Sequence, residues 1–254
     1  ELSPGHWLLA YLAAACIGLS KTGFAGFGMA TVVIMAWILP ARQSVGVVLP
    51  MLIVADVFAV LVFRRHAVWQ HVWRLLPPTA LGVVAGFLLM PRLSDAQFAP
   101  AIGCTVLVMV AVQAWRQWAG GRRGEPAGGQ RGEPAAGGSR LFAWLMGGFS
   151  GLTTMLANAA GPVMTVYLLA CRLPKYEFVG TAAVFFMIVN WFKVPFSAAL
   201  GLINAGSLQL NAALAPGILL GALAGRVLIR HLPQRLFEVL LLVFAAAAAV
   251  RLVV

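Results

Sequence analysis

The chain of 254 residues is 61% hydrophobic and only 10% charged, with a mean hydropathy of +0.92, whereas soluble domains carry about 25% charged residues. That balance excludes an ordinary soluble enzyme or binding module and specifies an all-α polytopic membrane protein, its first partner the lipid bilayer. The net charge of +11 does not point to nucleic acid, because the arginines stand in short loops between apolar runs, as the positive-inside rule describes.

Residues 7–39 form the first apolar stretch, and it is interrupted. Ser20, Lys21, Thr22 and Gly23 separate the runs 7–19 and 24–39, neither of which holds another charge. A lysine at such a place costs roughly 2.5–3.5 kcal/mol to insert. Gly23, Gly26 and Gly28 suit a backbone that turns or lies close to a ligand. The reading is a helix broken inside the membrane with a cation at the break. It serves as an anion site, or the lysine pairs with Asp56 or snorkels to an interface. No basic residue precedes the run and no small-residue cleavage site follows it, so it reads as mature structure rather than a signal peptide.

Residues 45–63 form a span with one charge, Asp56, closed by Arg64, Arg65 and His66. Trp69 and Trp73 then suit an interfacial belt. The next span, 75–90, has Gly82 and Gly86 four apart, a spacing that lets helices approach closely in lipid. Another span covers 98–115, ended by Trp115 and Trp118. Residues 119–140 are rich in Gly, Arg, Glu and Pro, with Arg-Gly-Glu-Pro-Ala at 123–127 and again at 131–135; this composition describes a flexible polar linker. Residues 141–170 are a second interrupted run, broken by Thr153, Thr154 and then Asn158, Ala159, Ala160, Gly161 and Pro162. Proline fits the first helical position, where no backbone N–H is needed, so Pro162 reads as the start of a new half-helix. The span 178–200 carries Asn190 and Lys193, 212–229 carries Gly217, Gly221 and Gly225, and 237–254 closes the chain. Cys16, Cys104 and Cys171 each stand alone among apolar residues and read as small hydrophobes without disulfide partners or metal-ligand spacing. Nothing in the pattern calls for a cofactor or a metal.

The order of features repeats. Pro77, Gly82, Gly86, Leu93 and Phe98 match Pro216, Gly221, Gly225, Leu232 and Phe237 at an offset of 139, and Pro40, Gly46 and Asp56 match Pro174, Gly180 and Asn190 at an offset of 134. The chain therefore divides into a first transmembrane repeat, 1–118, the linker, 119–140, and a second repeat, 141–254. If all eight long runs crossed the membrane, the basic residues would divide nine against seven between the two sides; if the two broken runs return to the side they entered, the division becomes thirteen against three, with Lys21 and Lys193 inside the membrane. The positive-inside rule selects the second arrangement and places the linker in the cytoplasm and both termini outside. Each repeat then holds three transmembrane helices and one broken, re-entrant, V-shaped helix. An odd number of crossings inverts one repeat against the other. The arms of the Vs run roughly 12–16 residues, or about 18–24 Å, which brings their tips together near the midplane. Inverted repeats with broken helices meeting there are a common build for a secondary transporter's binding site.

These residues resemble the TauE/SafE family of sulfite and sulfonate transporters, over nearly the whole chain outside the linker. In the first half the resemblance rests on the run Gly18 to Gly26, on Leu49 and Pro50, and on Asp56. In the second it rests on Gly148 to Gly151, Asn158 to Pro162, Gly180 and Thr181, and Asn190 to Lys193. Many members carry a run of glycines where this chain has Gly26, Phe27, Gly28 and Ala159, Ala160, Gly161, a departure that bears on the shape of the pocket. The resemblance implies a bacterial inner-membrane protein that moves small sulfur-containing anions such as sulfite or organosulfonates, sulfoacetate among them, with export as the expected direction.

A sulfite or sulfonate group needs a cation, N–H and O–H donors and positive helix ends. Lys21 supplies the cation. The expected substrate-binding set is Ser20, Lys21, Thr22, Gly23, Thr153, Thr154, Asn158, Gly161, Asn190 and Lys193. Each hydroxyl in it has the alternative of bonding its own helix backbone. Asp56 would repel a bound anion, so as a carboxylate it pairs with Lys21 or Lys193, or it takes up a proton and couples it to transport. Arg226 reads as a cytoplasmic-end arginine that snorkels. Trp191 and Phe192 either line the pocket or pack in the span. Two alternatives stay open at this point, an anion channel and a proton-coupled importer of another small organic anion. An intramembrane enzyme is disfavoured, because His6, His66, His71 and His231 all fall near span ends and Asp56 is the one clear intramembrane carboxylate, too few groups for a nucleophile–base pair or metal site. The small-residue positions Gly82, Gly86, Gly221 and Gly225 suit internal packing or a homodimer contact equally, and leave the oligomeric state open.

Overall fold

Long apolar runs can satisfy their backbone groups in lipid by forming helices, and every regular element among the described residues is helical. The computed structural model describes residues 3–23, 27–39, 41–92 and 139–231, with 233, 236, 239 and 243 individually. In chain order the helices are α1 (Pro4–Lys21), α2 (Phe27–Ile38), α3 (Ala41–Phe63), α4 (Trp69–Leu89), α5 (Arg140–Ala157), α6 (Ala160–Ala170), α7 (Lys175–Ala199) and α8 (Ala205–His231). Ser3 and Ser139 cap α1 and α5, their hydroxyl oxygens accepting from the N–H groups of His6 and Phe142, which satisfies donors that have no intrahelical partner. Among the described residues, four stretches are long and apolar enough to cross a membrane: Ser44–His66, Trp69–Arg92, Lys175–Ala199 and Ala205–His231. The expected spans at 98–115 and, apart from isolated residues, 237–254 lie outside the described residues, as do Cys104, linker residues 119–138 and the matched pairs Leu93/Leu232 and Phe98/Phe237.

Side chains are distributed inside out relative to a soluble protein. Leu8, Leu61, Trp73, Leu81, Leu141 and Leu220 are exposed, while Asp56, Lys193, Asn190, Thr22, Thr31 and Thr153 are buried. This is what a lipid solvent selects: apolar groups outward, polar groups toward one another. Trp69 and Trp73 stack at the start of α4 with ring centroids 6.1 Å apart.

Packing exchanges elements between the two halves of the chain. α1 lies along α8, α5 lies along α4, and α3 crosses α7. Glycine allows the close approaches. A Cβ on Gly18 would collide with the backbone of Ile218 and Ala222, and one on Gly221 with that of Ala15. In the same way, a Cβ on Gly151 would collide with the backbone of Thr79 and Val83, and one on Gly82 with that of Gly148. Gly86 and Gly225 face Met155 and Thr22, so these glycine positions pack within the chain. Gly46 lies against the backbone of Leu202 after α7, and Gly180 against Phe63 and His66 after α3.

Both interrupted runs are pairs of helices. α2 turns back along α1, where the Thr31 hydroxyl donates to the Ala13 carbonyl at 2.8 Å. α6 is buried along its length except at Gly161; its Tyr167 stacks on Phe142 of α5 and places its hydroxyl 3.0 Å from His71 Nδ1 of α4. The helix ends differ slightly from the expected ones. Ser20 and Lys21 belong to the last turn of α1, so the turn falls at Thr22 and Gly23. α6 starts at Ala160, which makes Pro162 its third residue, still inside the first turn where the missing N–H removes no helical bond.

Candidate functional site

Each helix break is built by its own local chemistry. At the first, Gly23 takes φ 129°, a conformation that residues with a Cβ rarely adopt, and α1 ends with the Lys21 ammonium at its partially negative C-terminus. At the second, Asn158 adopts the left-handed conformation at φ 53°, ψ 29°, which asparagine tolerates better than most residues. Its N–H donates to the Thr154 carbonyl and that of Ala159 to the Thr153 carbonyl, so α5 closes with satisfied terminal carbonyls. α6 restarts two residues later and points its unpaired first-turn N–H groups back toward the break.

Between the two breaks lies a cavity. It is lined by Ser20, Lys21, Gly23 and Gly28 from the first break, by Thr154, Asn158, Gly161 and Pro162 from the second, and by Asn190 of α7. Apolar side chains of α2, α3 and α7, among them Val32, Leu52, Val179 and Phe186, complete its walls. It leaves about 60 Å³ for the centres of water-sized groups, several times the roughly 10–15 Å³ that a single water requires.

The charged groups have specific partners. Lys21 Nζ lies 2.8 Å from Asp56 Oδ1, with Lys21 9% exposed and Asp56 fully buried. It also sits 4.1 Å from the centroid of the Phe186 ring, a cation–π arrangement. Asn190 Nδ2 donates to the other carboxylate oxygen of Asp56 at 2.7 Å. Lys193 Nζ donates to the Thr154 carbonyl at 2.6 Å, the Thr154 hydroxyl at 3.1 Å and Asn158 Oδ1 at 2.7 Å. Those three acceptors match the three donors of an ammonium and sit at the negative end of α5. The Thr154 hydroxyl, in accepting from Lys193, keeps its own proton available.

The expected site residues therefore separate into groups. Ser20, Lys21, Gly23, Thr154, Asn158, Gly161 and Asn190 come together around the cavity. Asp56 and Lys193 stand directly behind its wall, on Lys21 and on Thr154 and Asn158. Thr22 and Thr153 point away: their hydroxyls donate to carbonyls of their own helices, Gly18 and Leu19 for Thr22, Phe149 and Ser150 for Thr153. The Ser20 hydroxyl likewise donates to Ile17 O at 2.9 Å, although the residue lines the cavity. Trp191 and Phe192 are 55% and 40% exposed, so these aromatics face outward rather than into a pocket. The aromatic beside the cation is Phe186. Its signal in the sequence is its place four residues before Asn190, on the same helical face.

Fold and site together define a multi-pass helical membrane protein with a cavity between two helix breaks and a buried ion pair at its wall. The family model described as sulfite exporter TauE/SafE matches residues 10–252, and the chain belongs to that family, one of membrane transporters rather than enzymes. No curated protein and no solved structure matches the chain.

Proposed function

We propose that the protein is a secondary transporter that exports a small sulfur-containing anion, sulfite or an organosulfonate such as sulfoacetate, across the bacterial inner membrane. The anion binds at the midplane, between the tips of two re-entrant helices, each belonging to one of two inverted repeats. One observation carries the reading. A lysine ammonium 9% exposed lines a cavity together with the Thr154 hydroxyl and the first turn of α6, a donor set suited to an anion's oxygens, while the Asn158 amide beside them donates to the Val45 carbonyl at 3.4 Å. Four of the expected residues act indirectly in this reading. Thr22, Thr153 and Lys193 shape and hold the breaks, and Asp56 orients Lys21.

The two-fold relation of the repeats is supported by the exchanged packing. Asp56 and Asn190, matched in sequence at an offset of 134, bond to each other. Equivalent residues touch when they lie beside the axis that relates them. The charge division described above supports a cytoplasmic linker.

The test is binding of sulfite, sulfoacetate, taurine and sulfate to purified protein, read as thermal stabilisation in detergent, beside Lys21→Ala. Stabilisation by sulfite or a sulfonate, lost in a folded Lys21→Ala, is the expected result. Equal binding by the variant, or no binding by wild type, refutes the site. The Lys21–Asp56 pair also favours a second reading in which Asp56 carries a coupling proton; unchanged transport and pH dependence in Asp56→Asn excludes it. Saturation and counter-exchange separate a carrier from a channel.

A further inference from the structure

We propose that the protein holds the phosphate of an anionic phospholipid in a basic recess between the ends of α3 and α8, apart from the central cavity. The recess is lined by Phe58, Leu61 and Val62 of α3, by Arg64 and Arg65 of the 3₁₀ turn that follows it, and by Arg226 of α8. It is open to the surroundings and leaves about 450 Å³ for the centres of water-sized groups. Three guanidinium groups drawn to one recess repel one another unless an anion lies among them. Among the described residues the carboxylates are Asp56 and Glu177. Asp56 is taken by Lys21, and neither carboxylate pairs with any of the three arginines. Lys175 adds to the positive charge at this end, its ammonium donating to the Ile229 carbonyl at 3.1 Å, nearly one turn beyond Arg226 on α8.

The shape of the recess identifies the occupant as a lipid rather than the transported anion. Leu61 is 68% exposed and stands nine residues after Leu52, which lines the central cavity. At about 100° per residue that turns Leu61 to the opposite side of α3, and no described residue lines both the recess and the cavity. The recess is also divided along α3. The arginines stand at the end of the membrane-crossing stretch Ser44–His66, and the apolar residues lie before them, Phe58 about 9 Å along the helix from Arg64. A phosphate on the guanidinium groups therefore lets an acyl chain run along Phe58, Leu61 and Val62 into the membrane. Arginine suits the first half of such a ligand because its planar fork takes phosphate oxygens in pairs, and basic pockets between membrane helices at their cytoplasmic ends are a known setting for anionic headgroups. The charge division that supports a cytoplasmic linker puts the ends of α3 and α8 on that side. A phospholipid bridging the 3₁₀ turn to Arg226 fastens α3 to α8, whatever anion the central cavity carries.

The test uses purified, delipidated full-length protein in an uncharged detergent. Phosphatidylglycerol, phosphatidylcholine with the same acyl chains, and inorganic phosphate are added in turn, and bound lipid is counted by native mass spectrometry beside thermal melting. Phosphatidylglycerol is expected to bind more tightly than phosphatidylcholine by on the order of tenfold or more and to raise the melting temperature, with inorganic phosphate doing neither. Arg226→Gln and the double variant Arg64→Gln/Arg65→Gln are each expected to lose most of that preference. Arg230→Gln, an exposed arginine of the same helix end that does not line the recess, is expected to keep it. Should Arg226→Gln fail to fold, the double variant at the exposed positions Arg64 and Arg65 carries the same comparison. Equal binding of the two lipids, or an equal loss in Arg230→Gln, overturns the proposal. Inorganic phosphate that stabilises the protein as well as phosphatidylglycerol and displaces it makes the recess a free-anion site and overturns the lipid assignment.

Discussion

Replacing Lys21 by methionine separates the role of this lysine in the fold from its role in binding. The ammonium lies 2.8 Å from a fully buried carboxylate. At an effective dielectric of about 20 the Coulomb attraction at that separation is about 6 kcal/mol, part of it offset by the desolvation of both groups. The methionine side chain would fill much of the same volume and leave Asp56 with the Asn190 amide as its remaining partner. Breaking one side of a buried pair typically destabilises by about 3–5 kcal/mol, and that is the loss expected for Lys21→Met, measured by reversible denaturation in mixed micelles. Adding Asp56→Asn removes the stranded charge, so the double variant is expected to return to within about 1–2 kcal/mol of wild type. Binding follows a different course. The double variant lacks the ammonium at the cavity wall and is expected to bind methanesulfonate on the order of a hundredfold more weakly, since a charge-assisted contact of about 3 kcal/mol is gone. The reasoning is refuted if Lys21→Met is as stable as wild type, or if the double variant binds the anion undiminished.

Lys193→Met leaves Asn158 Oδ1 without its donor, while Thr154 O keeps the Asn158 N–H, and a loss of about 1–3 kcal/mol is expected in the same denaturation assay. Gly18→Ala and Gly151→Ala each drive a methyl group into backbone of the opposite half of the chain; both should destabilise by about 1–3 kcal/mol, and comparable losses at the two positions are expected from their equivalent packing. A cysteine introduced at Gly128, in a chain whose Cys16, Cys104 and Cys171 have been replaced, should react with an impermeant maleimide in inside-out vesicles and stay protected in intact cells. The opposite labelling pattern would reverse the orientation.

The two breaks were legible because a lysine, an asparagine and clustered small residues interrupt runs that otherwise have no reason to stop. α1 does end at Lys21 and α5 at Ala157. Helix ends were read less accurately. Ser20 and Lys21 belong to the last turn of α1, and Pro162 sits two residues inside α6, because a first-turn proline is tolerated at several positions. Which polar groups face the cavity was not legible in the same way. Thr153 and Thr154 are neighbours in the chain, yet a helix turns about 100° per residue, so one hydroxyl bonds back to Phe149 while the other lies on the cavity beside Lys193.

Sequence alone determined the solvent and the kind of element. So few charges in so long an apolar chain leave helix as the backbone's way to satisfy itself in lipid, and a misplaced lysine and asparagine mark where helix gives way. It also carried the order of matched glycines and prolines in the two halves. Tertiary structure decided the pairing. Asp56 had two lysines open to it, and the packing of α1, α3 and α7 sets Lys21 against it and sends Lys193 to the end of α5. It also turned Trp191 and Phe192 outward and brought Phe186 to the cation. The physical reason is one of range: periodicity and solvent preference act within a few residues, whereas a buried charge takes its partner from whichever helix the packing brings within about 3 Å.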